Sequence, residues 1–216
     1  MTEQSPIPQP PFKVIYPQEM PPHIAYQTLL HCVAPRPIAF TSTMSAAGEA
    51  NLAPFSYFMA GGANPCSVVI SPTTTRTGEH KDTLKNIEAT GEYVINIVTY
   101  EMRDRMNQTS APYPYGVSEW EKAGITAAPS KLVKPARVAE SPLSLECRLY
   151  QIIPHGDGPL SANYVIGEVI CVHISNALLN EDGAIDPRRI DYISRMGGDW
   201  YSRVTTDSMF ELGRPG

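Results

Sequence analysis

Residues 71–83, "SPTTTRTGEHKDT", place five hydroxyl side chains (Ser71, Thr73, Thr74, Thr75 and Thr77) beside Arg76, His80 and Lys81, just before a helical pattern begins. A helix N-terminus carries unpaired N–H groups and partial positive charge, so this segment suits a phosphate, with Arg76 and Lys81 adding charge-assisted hydrogen bonds. Glu79 and Asp82 oppose that reading unless Asp82 turns away to cap its own helix, and a plain polar loop with a cap remains the alternative. A second stretch, "TSTMSAAGEANLAPFSYF" (residues 41–58), interrupts an apolar run with polar groups. In a strand Thr41 and Thr43 share one face and Ser42 takes the other. Gly48 allows a turn, Asn51 begins the return, and Pro54 keeps that return from being a regular interior strand. Backbone so interrupted leaves amides and carbonyls free for a flat heteroaromatic ligand with polar edges. Exposed strand threonines are the plainer account of the same residues. His173, near a strand end, is either a packed histidine or a proton donor. Arg195, before Gly197-Gly198, either reaches an anionic ligand or closes a surface ion pair. Asn96, among apolar neighbours, reads as a buried amide satisfied by backbone.

Other chemistries are absent. No GxGxxG follows a strand, and there is no GxxxxGK[ST], HExxH or GxSxG. Cys32, Cys66, Cys147 and Cys171 form no CxxC and no paired Cys/His spacing, so they read as small buried thiols and no metal site is expected. The net charge of −5, without a long basic run, argues against nucleic acid as partner. No apolar run approaches the ~20 residues of a membrane span, and the N-terminus lacks a basic region followed by an apolar one. A cytoplasmic, membrane-free protein is expected.

These residues need elements to hold them. Residues 1–22 are proline-rich and read as an extended arm. His23–Val33 reads as a short helix ending before Pro35. "PRPIAFTSTM" and "PCSVVISP" read as strands. "KDTLKNIEATG" is the clearest helix, with Asp82 or Thr83 as cap and Gly91 as stop, and "EYVINIV" follows as a strand. In "SEWEKAG", Ser118 and Glu121 form a capping-box pattern and Gly124 ends the helix. "SLECRLYQIIP" and "ANYVIGEVICVHIS" are two long strands joined by the hairpin-like "HGDGPLS". Strands dominate and do not alternate regularly with helices, which predicts an antiparallel barrel with peripheral helices rather than a doubly wound sheet.

Five segments in order, "RPIAFTSTMSAAGEANLAPFSYF", "KDTLKNIEATGEYVINI", "MNQTSAPYPYGVSEWEKAGIT", "ESPLSLECRL" and "IGEVICVHI", resemble the flavin reductase-like proteins, also called the FMN-binding split-barrel or flavoredoxin-like group. The resemblance runs from about Pro35 to about Tyr201. It implies a mainly β, six-stranded Greek-key split barrel spanning residues 23–205, between the arm (1–22) and a C-terminal tail (206–216). It implies a homodimer with non-covalent FMN near the interface. Thr41, Ser42, Thr43, Asn51, Leu52, Ala53 and Ser56 would line the flavin. Ser71, Arg76, Lys81, Asp82 and Thr83 would hold its phosphate or ribityl chain, with His173 and Arg195 nearby. NADH or NADPH would be co-substrate for an NAD(P)H:FMN oxidoreductase, with a monooxygenase as a possible partner. Hydride transfer to the flavin is cofactor chemistry, so no catalytic residue is assigned. The alternatives are a flavoredoxin-type electron carrier, an FMN-dependent enzyme with its own small substrate, and a barrel that has lost its flavin.

Overall fold

The computed structural model describes residues 11–113 and 117–215, so the first ten residues of the arm and positions 114–116 of "APYPYGVSEW" lie outside the described residues. The chain is mainly β. The strands are β1 (Ala39–Met44), β2 (Ala50–Phe55), β3 (Phe58–Ala63), β4 (Cys66–Ile70), β5 (Glu92–Ile97), the two-residue β6 (Ala127–Ala128) and β7 (Arg137–Val138), β8 (Leu143–His155), β9 (Ala162–Ile174), β10 (Ile193–Gly197) and β11 (Trp200–Arg203). The α-helices are α1 (Pro22–Cys32), α2 (Asp82–Thr90), α3 (Arg103–Gln108) and α4 (Glu119–Ala123). Among the described residues no helix is long and apolar enough to cross a membrane.

Seven strands form one antiparallel sheet in the order β2-β1-β5-β8-β9-β4-β3. Its two edge strands, β2 and β3, are consecutive in sequence and separated only by Ser56 and Tyr57. So short a link forces the sheet to curl until its edges meet, which makes a barrel split between β2 and β3. The seventh strand is β3, "FMAGGA", which lacks the β-branched pattern that marks strands. Pro54 differs from expectation too. It sits in regular register opposite Phe40, and β2 accommodates it because an edge strand leaves one side free of ladder bonds.

Alternation along β1 divides the core. Phe40 joins Leu52, Met102, Met106 and Trp120 on one face of the sheet. Ala39 joins Ile70, Leu84, Ile87, Tyr93 and Ile95 on the other. Helix α2 supplies Leu84 and Ile87 to that second core and stops at Gly91, which takes the left-handed conformation at φ 69°. Its N-cap is Lys81, with no side-chain cap bond, rather than Asp82 or Thr83. Ser118 caps α4 by accepting the Glu121 N–H, and Gly124 ends it at φ 61°. Gly167 on β9 is required by close approach, since a Cβ there would lie 1.8 Å from the Tyr93 hydroxyl.

Candidate functional site

The split between β2 and β3 opens onto a cavity of about 300 Å³. Pro54, Phe55, Ser56 and Tyr57 come to it from the strand-to-strand link, Ser71 and Thr73 from the end of β4, and Lys81 from the start of α2. Tyr26 of α1, Met106 and Asn107 of α3, and Arg195, Asp199 and Tyr201 of the β10–β11 hairpin also line it. The volume is at the lower end for small-molecule sites, enough for a planar ring system and too small for a whole dinucleotide.

Arg36 fastens this wall from behind. It is 3% exposed, although it lies between two prolines at the head of an apolar run. Its Nη1 donates to the Leu30 and Val33 carbonyls at the end of α1. Its Nε donates to Ser56 Oγ at 3.3 Å. Its backbone exchanges two 2.9 Å bonds with Arg195. The same residue therefore ties α1, the β2–β3 link and β10 together. Its Nη2 is buried and has no hydrogen-bond partner among the described residues, and the same holds for Tyr57 Oη and Ser71 Oγ. Unpaired buried polar atoms are rare because each costs about 1–3 kcal/mol. Two of them, on Tyr57 and Ser71, belong to residues lining the cavity, and a polar-edged ligand would satisfy them.

The electrostatics favour an anion. Burial pulls the Arg36 guanidinium below its ordinary value, with Arg195 adding to the fall and Tyr57 opposing it. Burial pushes the Tyr57 hydroxyl up to about 12, so at neutral pH it is a neutral donor. Crowding by protein atoms lowers the Lys81 ammonium, although the residue keeps exposed surface elsewhere. Lys81 Nζ lies 5.5 Å from the Phe55 ring centroid, and the Arg195 guanidinium lies 4.5 Å from that of Tyr201. Asp199 is the sole acid lining the cavity among the described residues, against Lys81 and Arg195 there and Arg36 behind.

Of the residues singled out in the sequence, the cavity gathers Pro54, Ser56, Ser71, Thr73, Lys81 and Arg195. Others meet in a separate polar cluster. Thr43 Oγ1 accepts from Asn51 Nδ2 at 3.2 Å and Asn86 Nδ2 at 3.0 Å, and Asn51 also donates to Thr83 Oγ1 at 2.9 Å. Asn51 and Asp82 border a second depression of about 460 Å³ with Glu119, whose carboxyl burial raises. Thr41 Oγ1 donates to the Ala39 carbonyl, Ser42 Oγ to the Ala136 carbonyl. Leu52 is fully buried and Ala53 pairs with Thr41. Arg76 is exposed. His173 lies with Glu146 and Cys171, outside the cavity lining. Arg36, Tyr57, Tyr26 and Tyr201 escaped the sequence reading. The signal for Arg36 was a charge at the start of the apolar "PIAF" run.

The flavin reductase like domain model matches residues 30–192. Nitrilotriacetate monooxygenase component B from Bacillus cereus superposes with a TM-score of 0.87 at 32% identity, covering 94% of this chain and 100% of that one. The 2-nitrobenzoate 2-nitroreductase of Pseudomonas fluorescens gives 0.82 at 30% identity, covering 94% and 96%. An uncharacterized protein of Aquifex aeolicus is 36% identical over 179 residues, 83% of this chain and 89% of its own.

Proposed function

The chain belongs to the flavin reductase-like family, and we propose that it binds FMN non-covalently in the cavity at the barrel split and reduces it with NADH or NADPH. The observation that carries the reading is the pair of unpaired buried hydroxyls, Tyr57 Oη and Ser71 Oγ, on residues lining a cavity of heteroaromatic size. Bound flavin would supply the hydride chemistry itself. The chain's own residues bind, orient and shield. Tyr57 and Ser71 offer hydroxyls to the ring edge or its chain. Lys81 and Arg195 offer charge to a phosphate. Arg36, held by two carbonyls and Ser56, keeps the β2–β3 link fixed and its field positive. Pro54, Phe55 and Tyr26 make the apolar wall that excludes water. No side chain needs to act as acid or base.

The chain is proposed to work as a homodimer and to hand reduced flavin to a partner monooxygenase. The likeness to a component of a monooxygenase supports that role. The likeness to a nitroreductase supports a second reading, reduction of a small aromatic substrate on the protein itself.

The test is spectroscopic. Purified protein titrated with FMN is expected to take it up with quenched flavin fluorescence, and anaerobic NADH or NADPH should bleach the visible band. Tyr57→Phe and Ser71→Ala should each weaken FMN binding about 5- to 50-fold, the worth of one buried hydrogen bond. Failure to take up FMN, or affinities unchanged in both variants, overturns the assignment of the cavity. If an added small nitroaromatic re-oxidises the bleached flavin and is itself reduced catalytically at the expense of NADH or NADPH, the second reading is favoured.

A further inference from the structure

Cys171 and His173 stand two residues apart on β9, so their side chains leave the same face of the sheet. Glu146 pairs with Cys171 across the β8–β9 ladder, which puts its carboxylate on the same face of the sheet. An oxygen of Glu146, Sγ of Cys171 and Nε2 of His173 all lie within 4.8 Å of one another. Glu146 is fully buried, while Cys171 and His173 are partly exposed, which leaves a route from solvent. Nε2 lies 2.5 Å from Glu146 Oε1 and 3.6 Å from Cys171 Sγ. One hydrogen bond accounts for the Glu146 contact, and the thiol stands beside the same ring nitrogen, so three metal-ligating atoms converge on one point.

That convergence suits a tetrahedral zinc ion. With Zn–S of ~2.3 Å and Zn–N of ~2.05 Å, sulfur and nitrogen sit ~3.5 Å apart. The observed spacing of 3.6 Å already matches. The nitrogen–oxygen spacing has to open by under ~1 Å, a small swing of the imidazole once an ion replaces the proton between the two groups. The carboxylate is oriented before any ion arrives, because the Lys131 N–H donates to Oε1 and the Leu132 N–H to Oε2, each at 2.6 Å. Such backing is the usual support of a metal-binding carboxylate.

We propose that Glu146, Cys171 and His173 form a binding site for a divalent transition-metal ion of zinc type, with a fourth position open to water or a ligand. One thiolate and one imidazole select zinc or cobalt over magnesium and calcium, which prefer all-oxygen shells. None of the three residues lines the cavity at the barrel split, so the site is independent of the flavin assignment.

Cobalt reports on it directly. Reduced, metal-free full-length protein titrated with Co²⁺ is expected to develop a thiolate-to-cobalt band in the near ultraviolet with visible d–d absorption, saturating at about one ion per chain. Cys171→Ser should abolish the near-ultraviolet band, whereas the double variant Cys32→Ser with Cys66→Ser, which removes the two exposed thiols, should keep it. Zn²⁺ should displace the cobalt and raise the melting temperature of the native chain but not that of Cys171→Ser or His173→Gln. Circular dichroism of each variant without metal separates loss of a ligand from loss of fold. Absence of a saturating band, or a band that survives Cys171→Ser, overturns the proposal.

Discussion

Asn96 joins three segments through one amide. Its Nδ2 donates to the Phe40 carbonyl at 3.0 Å, and its Oδ1 accepts from the Val138 N–H at 2.9 Å and the Ser144 hydroxyl at 2.8 Å. All of this is buried, with Asn96, Phe40, Val138 and Ser144 showing no exposed surface. Replacing the amide with an apolar side chain of similar size leaves a carbonyl and an N–H without partners. Asn96→Leu is expected to destabilise the fold by about 2–4 kcal/mol in denaturant unfolding, with the slope on denaturant unchanged. A loss under ~0.5 kcal/mol would show that water or backbone movement repairs the site. The sequence made the burial of Asn96 legible, because an amide between "VI" and "I" in a strand has nowhere else to go. Its partners were not legible, since they lie 42 to 56 residues away. The same limit explains Thr43 and Asn51. A polar group in an apolar strand must meet a ligand or another part of the chain, and residue type does not say which. Here Thr43 has two amide donors from the protein, so Thr43→Ala should weaken packing as well as any flavin contact.

Local signals found the elements that end on themselves. Gly91, Gly124 and Ser118 cap their helices by bonds within a few residues, and each does what its position implied. The elements held by distant partners were harder to read. The segment 131–138 is fastened by Glu146 to Lys131 and Leu132, by Glu92 to Lys134, by Ser42 to Ala136 and by Asn96 to Val138, four anchors on three strands. Another such element is the short 3₁₀ turn at Pro187–Arg189. Asp186 caps it, accepting from the Arg188 backbone N–H at 3.0 Å and from the Arg188 guanidinium at 2.9 Å, with Arg189 also near. The turn in turn delivers Ile190 to the cluster of Leu143 and Leu178. The Arg188 side chain and N–H hold the Asp186 carboxyl at about 2, below its ordinary value. A depressed carboxylate contributes stability that is fully present above the unfolded value of ~3.9 and is lost as pH falls through the folded one. Asp186→Asn is therefore expected to lower the melting temperature at pH 6, and the difference from the native chain should shrink between pH 4 and pH 2. A difference that stays constant down to pH 2 would place the cap's contribution in shape rather than charge.

At the scale of the whole molecule, β9 is apolar on both faces. Val165, Gly167 and Val169 turn inward, where Val165 and Val169 pack in the core with Cys147. Tyr164 and Ile166 alternate with them and turn outward, with Tyr164 39% exposed, as far as the register shift near Ile170. Ile153 on β8 pairs directly with Tyr164 and is itself 42% exposed. An antiparallel strand with one wet face normally carries polar residues there, and Glu168 is the only charge on this stripe. A barrel also needs a second layer wherever its sheet is apolar outside, and the helices of this chain cover other parts of it. A second copy of the chain supplies that layer most simply, because a twofold contact lets one stripe pair with itself. The protein is expected to run at twice its 23.7 kDa in light scattering at micromolar concentration. Tyr164→Lys combined with Ile153→Lys should halve the mass while the far-ultraviolet circular dichroism is retained, since both side chains point away from the core. If the native chain is monomeric under these conditions, the stripe serves another contact. If the double variant is still a dimer, the interface lies elsewhere on the barrel. FMN titration of the monomeric variant then decides whether the cavity binds by itself or requires the partner beside it.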